Sequence, residues 1–370
     1  MLNLVIIPCL GSPQGGLFNG NPKKTNAQVL SLGKAYTFEP SLRLSTKNSL
    51  FSEWPIIPYK NPKSQVWRVL ANDSFQAKMC LMKVKKAVIP AAGFGTRFLP
   101  ITKTIPKEML PVLDKPIIQI VVEELVDAGI EEIIIVTKGD KKVLENYFKP
   151  NPRLDKLLRD SGKSDIADSL KKIEKLASFR FIKQKGKSGN AVPIHNSLKY
   201  IGNEPFLVFW GDDFVVASPS RAKQLIKAYD KYRGVVLGAI RTSKEEDTLK
   251  YGYAKGKMVS GHVMDVESVI EKPGPGKAPS ELATVSGFLI TPEAKPFFAK
   301  AIKEVEGREP CYLDAIDRML MAGKGKCYAL ELSNAKYYDT GSKIGYLEAI
   351  MQFALKSKEY GLELKKRLNL

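Results

Sequence analysis

Two glycines, an arginine and three lysines crowd into the segment between Ala91 and Lys115, a set of residue types suited to gripping phosphate. The run Ala91-Ala92-Gly93-Phe94-Gly95-Thr96-Arg97 lets a backbone turn tightly and aim its N–H groups at an anion. Ala92, Gly93, Gly95 and Thr96 are therefore candidate contacts to a nucleotide phosphate, and Arg97 adds a permanently charged, multidentate donor. Pro100, Lys103, Pro106-Lys107-Glu108-Met109-Leu110-Pro111 and Lys115-Pro116 follow, making an electropositive patch that fits a triphosphate or pyrophosphate. The loop lacks the Gly-Lys-Ser/Thr ending of a Walker A motif and the third glycine of a dinucleotide fingerprint. Alone, a Gly-x-Gly is also an ordinary turn.

Acidic and basic residues recur at the ends of later apolar runs. Gly211-Asp212-Asp213 follows Phe206-Leu207-Val208-Phe209, and a carboxylate at a strand's C-terminal end beside a phosphate loop is where a Mg²⁺ ligand belongs. The same pair of acids could instead cap a turn. Glu271-Lys272-Pro273 ends another strand-like run, and by itself reads equally as a strand exit. No Ser-His-Asp or Cys-His set accompanies these residues, which leaves His195 and His262 with structural roles. The four cysteines, Cys9, Cys80, Cys311 and Cys327, form no Cys-x-x-Cys pair and no metal-ligand spacing with the histidines, which fits a reducing cytoplasm.

The elements that must carry these residues alternate. A strand at 86–90 runs into the glycine-rich loop, a helix spans about 116–128, and a buried parallel strand covers 132–137. Helices follow at 140–148 and, laced with charge, at 153–177. Strands at 179–183, 205–210 and 234–241 enclose a helix at 219–230, and further strands lie near 252–258, 263–270 and 284–290. Helices at 293–304 and 312–321, a strand at 326–331 and one long helix from Ser342 complete the chain. This order predicts an α/β fold in three layers around a mostly parallel mixed sheet, in which ligands bind beyond the carboxyl ends of the strands.

Gly93-x-Gly-Thr-Arg with Pro100, Lys103 and Pro-Lys-Glu-Met-Leu-Pro, followed in order by Gly211-Asp212-Asp213, Glu271-Lys272-Pro273 and Tyr338-Asp339-Thr340-Gly341-Ser342, resembles the bacterial-type UTP–glucose-1-phosphate uridylyltransferases. The resemblance covers residues 84 to about 356. It implies a Rossmann-like nucleotidyltransferase fold that transfers a uridylyl group from UTP to glucose 1-phosphate, with Mg²⁺ as cofactor. By that resemblance Arg97, Lys107 and Lys272 are catalytic, Asp212 holds the metal, and Asp339 is either a second metal contact or an N-terminal helix cap. Gln184, with Gly189-Asn190-Ala191, would read the uracil edge. Gly252, Glu271 and Lys272 would hold the sugar and its phosphate. The nucleophile, a phosphate monoester with a second pKa of about 6, is already anionic near neutrality, so no general base is required. The wording departs from the family at Asn190, where His or Thr is commoner, at Trp210, and at Cys311-Tyr312-Leu313, where a Glu-Ile-Gln-Leu-Thr run usually precedes Asp-Ala-Ile. Alternatives within reach of the same residues are a thymidylyl- or other sugar-1-phosphate nucleotidyltransferase, and a non-catalytic regulator that binds sugar nucleotide.

The net charge of +19 admits a nucleic-acid surface, but the lysines are scattered among acids, as in Lys141-Lys142-Val143-Leu144-Glu145, and read as solvated helix faces. No nucleic-acid partner is expected, and no run approaches the roughly 18 apolar residues of a membrane span. Residues 1–81 hold nine Lys/Arg against three acids (Glu39, Glu53, Asp73) and show no sustained periodicity. They read as a disordered or non-native extension, a transit-type segment or an accessory segment, with the nucleotidyltransferase domain at 82–370. The apolar stripe Ile344, Leu347, Ile350, Met351, Ala354 on the last helix suggests a homo-oligomer.

Overall fold

The computed structural model describes residues 83–139 and 141–370, together with the backbone of a short antiparallel pair, Ile56–Ile57 with Arg68–Val69. By backbone contacts the chain divides into Met1–Cys80 and Leu81–Leu370. The expectation for residues 1–81 thus lies outside the described residues.

The second unit centres on a nine-stranded mixed sheet. In chain order the strands are β1 (Lys86–Ala91), β2 (Glu132–Thr137), β3 (Ser178–Lys183) and β4 (Phe206–Val208). After a short outlying strand, β5 (Phe214–Ala217), come β6 (Val235–Arg241), β7 (Gly252–Ser260), β8 (Val263–Glu271), β9 (Leu282–Ile290) and β10 (Cys327–Glu331); β11 (Ala335–Tyr338) pairs with β5 outside the sheet. The sheet order is β6-β10-β8-β7-β9-β4-β1-β2-β3, with β6 also paired to β9. β4, β1, β2 and β3 run parallel, as do β6 and β10, whereas the β7–β8 hairpin and β9 pair antiparallel with their neighbours.

Helices cover both faces, and the strands feed them by strict alternation. Ile133 and Ile135 of β2 join one core cluster with Ile117, Ile118 and Leu125 of helix α1 (Ile117–Asp127), while Ile134 and Val136 join the other with Ile194 of the helix Ala191–Ile201, Phe298 and Ile316. The segment expected as one helix over 153–177 is two, Pro152–Asp160 and Ser164–Glu174, separated at Gly162, whose φ of +72° ends the first. Likewise the long helix expected from Ser342 stops at Lys356 and resumes at Gly361.

β1 lies between β4 and β2, so the chain leaves β1 at the crevice where the connections diverge to either side. The β5–β11 ladder, which the pattern of apolar residues did not disclose, then sets the site. Its register pairs Phe214 with Tyr338, so the acids just before β5 lie alongside Asp339 just after β11.

Arg221 ties this crevice to the helices beneath it. Its side chain is fully buried, and its guanidinium donates to Glu124 of α1 (2.8 and 3.3 Å) and to the Ser286 carbonyl of β9 (3.0 Å). It also stacks 4.0 Å over the Phe209 ring. Glu124 accepts from the Ala222 N–H as well, a carboxylate placed at a helix N-terminus. Arg221→Ala strands Glu124 without its partner and is expected to destabilise the protein by about 3–5 kcal/mol; a loss below about 1 kcal/mol in urea unfolding would show the pair to be dispensable.

Candidate active site

The glycine-rich loop leaves β1 and enters a 3-10 turn, Thr96–Phe98, with Gly95 in the left-handed conformation (φ +66°) as its N-cap. Thr102 Oγ1 donates to the Gly95 carbonyl at 2.7 Å and closes the loop. Ala92 and Gly95 are half-buried, and Gly93, Thr96 and Arg97 are exposed. Lys107 comes against this backbone, its Nζ 3.3 Å from where a Cβ on Gly93 would sit.

The same Lys107 ammonium is ion-paired and hydrogen-bonded to Asp212 Oδ2. Burial alone would lower its pKa, but the carboxylates of Asp212, Glu108 and Asp213 outweigh burial and hold it above the ordinary lysine value. Asp339 stands across a gap. Its Oδ1 and Asp212 Oδ2 each lie 3.1 Å from the point that a Cβ on Gly341 would occupy, and Arg97 Nη1 lies 3.6 Å from it. Arg97 donates to the Gly341 carbonyl at 3.2 Å, and Thr340 Oγ1 to the Asp212 carbonyl at 2.6 Å. Burial and the nearby Asp212 charge raise the Asp339 pKa, with Arg97 opposing.

The helix-cap alternative for Asp339 is answered by its neighbour. Ser342 caps the following helix, its Oγ accepting from Gly345 N–H, whereas Asp339 Oδ1 accepts from Gly341 N–H within the turn. The two carboxylates of Asp212 and Asp339 thus flank a cradle that a single Cβ would fill. Hard oxygen donors in that setting fit Mg²⁺, which takes one or two carboxylates and completes its shell with water and phosphate oxygens. No group of three or more His, Cys, Asp or Glu gathers to hold a metal among the described residues.

Beneath the glycine-rich loop sits a charge pair that residue spacing alone does not disclose. Glu108 is fully buried, and Lys141, expected from its spacing on a solvated helix face, reaches in to meet it instead. Lys141 Nζ donates to both Glu108 oxygens (3.1 and 3.3 Å), to the Ala91 carbonyl (2.6 Å) and to the Gly93 carbonyl (3.0 Å). Its position at the exit of β2, before the helix Lys142–Phe148, was the available signal. Burial raises the Glu108 pKa, with Lys141 and Lys107 opposing. A Cβ on Gly211 would lie 3.0 Å from Glu108 Cγ, so Glu108 touches the second acidic motif too.

Asp213 faces inward. It lies 3.6 Å from Arg221 and accepts from the Tyr337 hydroxyl at 3.2 Å. Burial, reinforced by Asp212 and opposed by Arg221, pushes its pKa up to about 7. The Tyr337 ring meets Tyr251 edge to face, and the Tyr251 carbonyl accepts from the Lys272 N–H at 3.1 Å. This chain of contacts leads to the second group of residues. Gly252 of β7 pairs with Glu271 of β8 and Thr284 of β9. A Cβ at Gly252 would lie 2.9 Å from Thr284 Oγ1 and 3.2 Å from Glu271 Oε2 and would overlap Leu313, so only glycine fits. Glu271 is half-buried and burial raises its pKa, with Lys272 opposing. Lys272 is half-exposed, its Nζ 3.9 Å from Glu271, and its backbone is left-handed at φ +49°, a conformation sparsely populated by residues with a Cβ.

Gln184 and Gly189 lie on the loop after β3. Gln184 N–H donates to the Thr137 carbonyl at 2.7 Å, anchoring the loop to β2, and its side-chain amide donates to the Lys187 carbonyl at 3.0 Å. The structure therefore brings Arg97, Lys107, Asp212 and Asp339 together around the glycine loop. Gly252, Glu271 and Lys272 form a neighbouring group, and Gln184 and Gly189 a third at the end of β3.

A parallel-strand crevice holding a glycine loop, paired carboxylates and converging lysines defines a phosphate-handling enzyme of the nucleotidyl type, and residues 86–356 match the family model described as nucleotidyl transferase. The chain belongs to that family. Among its relatives, the UTP–glucose-1-phosphate uridylyltransferase of Staphylococcus epidermidis is 40% identical over 285 residues, which cover 77% of this chain and 97% of the relative. The enzyme of that name from Bacillus subtilis is 39% identical over 279 residues, covering 75% and 94%. The solved structure of a UDP-glucose pyrophosphorylase complexed with UDP-glucose superposes with a TM-score of 0.67 at 35% identity, covering 74% of this chain and all of that one.

Two outcomes test the site's electrostatics. Lys141→Met leaves the buried Glu108 charge alone and is expected to lower stability by about 3–5 kcal/mol, most of it recovered in the double variant Glu108→Gln/Lys141→Met. Equal losses from the single and double variants in urea unfolding would refute the pairing. For Asp213, whose pKa rises from 3.8 when unfolded to about 7 when folded, the folded state holds the extra proton between those values. Stability should therefore fall as pH rises through that window and then level off. Asp213→Asn should remove that part of the slope in thermal midpoints measured against pH.

Proposed function

We propose that the chain is a UTP–glucose-1-phosphate uridylyltransferase, joining UTP and glucose 1-phosphate to give UDP-glucose and pyrophosphate. The observation that carries this reading is the Lys107–Asp212–Asp339 cluster set against Gly93 and Arg97, in a chain alike to uridylyltransferases over nearly their whole length.

An oxygen of the sugar phosphate attacks the α-phosphorus of UTP in line, a new P–O bond forms, and the bond to the pyrophosphate leaving group breaks. Because the attacking oxygen is already anionic, the protein's task is to position it and neutralise charge. The loop Ala92, Gly93, Gly95 and Thr96 receives the triphosphate with its backbone, and Arg97 and Lys107 neutralise its oxygens. Gln184 and Gly189 face the uracil. Gly252 gives the hexose room beside Glu271, whose carboxylate accepts from sugar hydroxyls, and Lys272 holds the sugar phosphate against repulsion by the triphosphate. Mg²⁺, held by Asp212 and Asp339, supplies charge neutralisation on the phosphates when bound. In the free protein Lys107 occupies Asp212, so nucleotide binding gives that ammonium a new anionic partner.

The described cysteines, Cys311 and Cys327, are buried and unpaired, which supports a reducing, cytoplasmic setting. No helix among the described residues is long and apolar enough to cross a membrane. Ile344, Leu347 and Met351 are each more than half exposed, which supports the homo-oligomer reading.

Purified protein with Mg²⁺ and glucose 1-phosphate is expected to release pyrophosphate with UTP and far less with dTTP, CTP or ATP. Preference for dTTP would move the base specificity. Binding of UDP-glucose with no release from any pair would favour a regulatory protein. Asp212→Ala and Lys272→Ala should each lower turnover by more than tenfold, about 1.4 kcal/mol of barrier, with the fold intact by circular dichroism.

A further inference from the structure

One carboxylate oxygen is shared between two parts of the site. Asp212 Oδ2 holds the Lys107 ammonium by ion pair and hydrogen bond, and the same oxygen faces Asp339 Oδ1 across the Gly341 cradle. The two loop glycines let the lysine reach it. Lys107 Cβ lies 3.3 Å from the point that a Cβ on Gly95 would occupy, and its Cε 3.2 Å from the corresponding point on Gly93, so the stem runs along the loop from one glycine to the other. The backbone beneath is held. Lys107 opens the 3-10 turn Lys107–Met109 after the buried Pro106, whose carbonyl accepts from the Met109 N–H at 2.8 Å. The next side chain, Glu108, is fully buried and bound by Lys141. The free end of the Lys107 side chain is therefore the part that can change partner, and its ammonium already lies 3.3 Å from the Gly93 point. Charge is balanced at the same place. Asp212 and Asp339 flank the cradle, with Lys107 paired to the first and Arg97 Nη1 3.6 Å from the Gly341 point. Two carboxylates answered by two cations offer a divalent ion little net attraction, and two cations on one carboxylate oxygen repel strongly.

We propose that Lys107 is a built-in counter-cation that closes the metal site of the nucleotide-free protein. Its ammonium holds the Asp212 oxygen that a divalent cation needs, and a polyphosphate against the glycine loop opens that oxygen by drawing the ammonium away. The proposal rests on the assignment of Asp212 and Asp339 to the metal and of the loop to phosphate. Lys107 thus acts twice, first keeping the paired carboxylates neutral and then neutralising the phosphate that replaces them as its partner. A flexible four-carbon stem with a compact charge suits such an exchange, which needs rotation of the side chain and no movement of the turn that carries it.

The test is Mn²⁺ binding by the nucleotide-free full chain, read from the EPR signal of the free ion during titration. Wild type is compared with Lys107→Met, Lys107→Gln, Lys107→Arg and the double variant Lys107→Met/Asp212→Asn. Freeing Asp212 is expected to tighten Mn²⁺ binding at least about tenfold in Lys107→Met and in Lys107→Gln, the second serving should the first not fold by circular dichroism. Lys107→Arg keeps the cation and should stay within about threefold of wild type. The double variant should lose the gain and bind no tighter than wild type. As a second readout, Mg²⁺ without nucleotide should raise the thermal midpoint of Lys107→Met and leave that of wild type nearly unchanged. Equal Mn²⁺ affinity in wild type and in the folded Met and Gln variants would overturn the proposal. A gain that survives Asp212→Asn would overturn it too, since the ion would then sit elsewhere. No nucleotide or sugar enters the titration, so the two readings fail separately: absence of pyrophosphate release with UTP and glucose 1-phosphate rejects uridylyl transfer, and an unchanged titration rejects the counter-cation.

Discussion

Everything in the site rests on one buried charge, the carboxylate of Glu108. It lies under the glycine loop with no solvent exposure, and a carboxylate in that position persists only if cations reach it. Lys141 does so from the end of β2, and in the same stroke it binds the carbonyls of Ala91 and Gly93. Lys107, next in sequence, is pulled the other way toward Asp212. The glycine-rich loop, the lysine-bearing segment and the acidic turn after β4 are thereby fixed to one point. The carbonyls of the loop at Ala91 and Gly93 are thus committed to Lys141.

Charge balance follows from the same arrangement. Asp212, Asp213, Asp339 and Glu108 crowd together, and each is answered differently. Lys107 and Lys141 neutralise two of them, Arg221 and Tyr337 hold Asp213 from behind, and Asp339 is left with Arg97 at the rim. Asp212 and Asp339 face the gap beside the loop with hard oxygen ligands, whereas Asp213 is tied to Arg221 of the helix Arg221–Tyr232, which in turn holds Glu124 of α1.

Much of this was legible in the residues. The strand running into Gly93-x-Gly95, the apolar runs ending in Asp212 and Glu271, and the alternating helices have strong local signals, because periodicity and glycine placement are set within a few residues. What escaped depends on contacts far apart in sequence. Lys141 looks like any helix-start lysine until β1 and β2 are paired and its amine falls beside Glu108. The β5–β11 ladder joins strands more than a hundred residues apart, each too short to announce itself, yet it brings Asp212 and Asp339 together. Arg221 is fully buried against Glu124 on another helix, a pairing that no local pattern around Arg221 marks. The break of the last helix between Lys356 and Gly361 carries no proline to mark it, and Ser357 turns the chain by accepting from the Glu359 and Tyr360 N–H groups.

The proposed displacement at phosphorus is direct, organised by charge and reversible. Incubating the protein with UDP-glucose, pyrophosphate and Mg²⁺, and following the mixture by ³¹P NMR, tests it most directly. Equal amounts of UTP and glucose 1-phosphate should appear as pyrophosphate is consumed. Formation of UMP with pyrophosphate untouched would contradict the account, since it would make water, and not a bound phosphate, the group this site presents to the α-phosphorus.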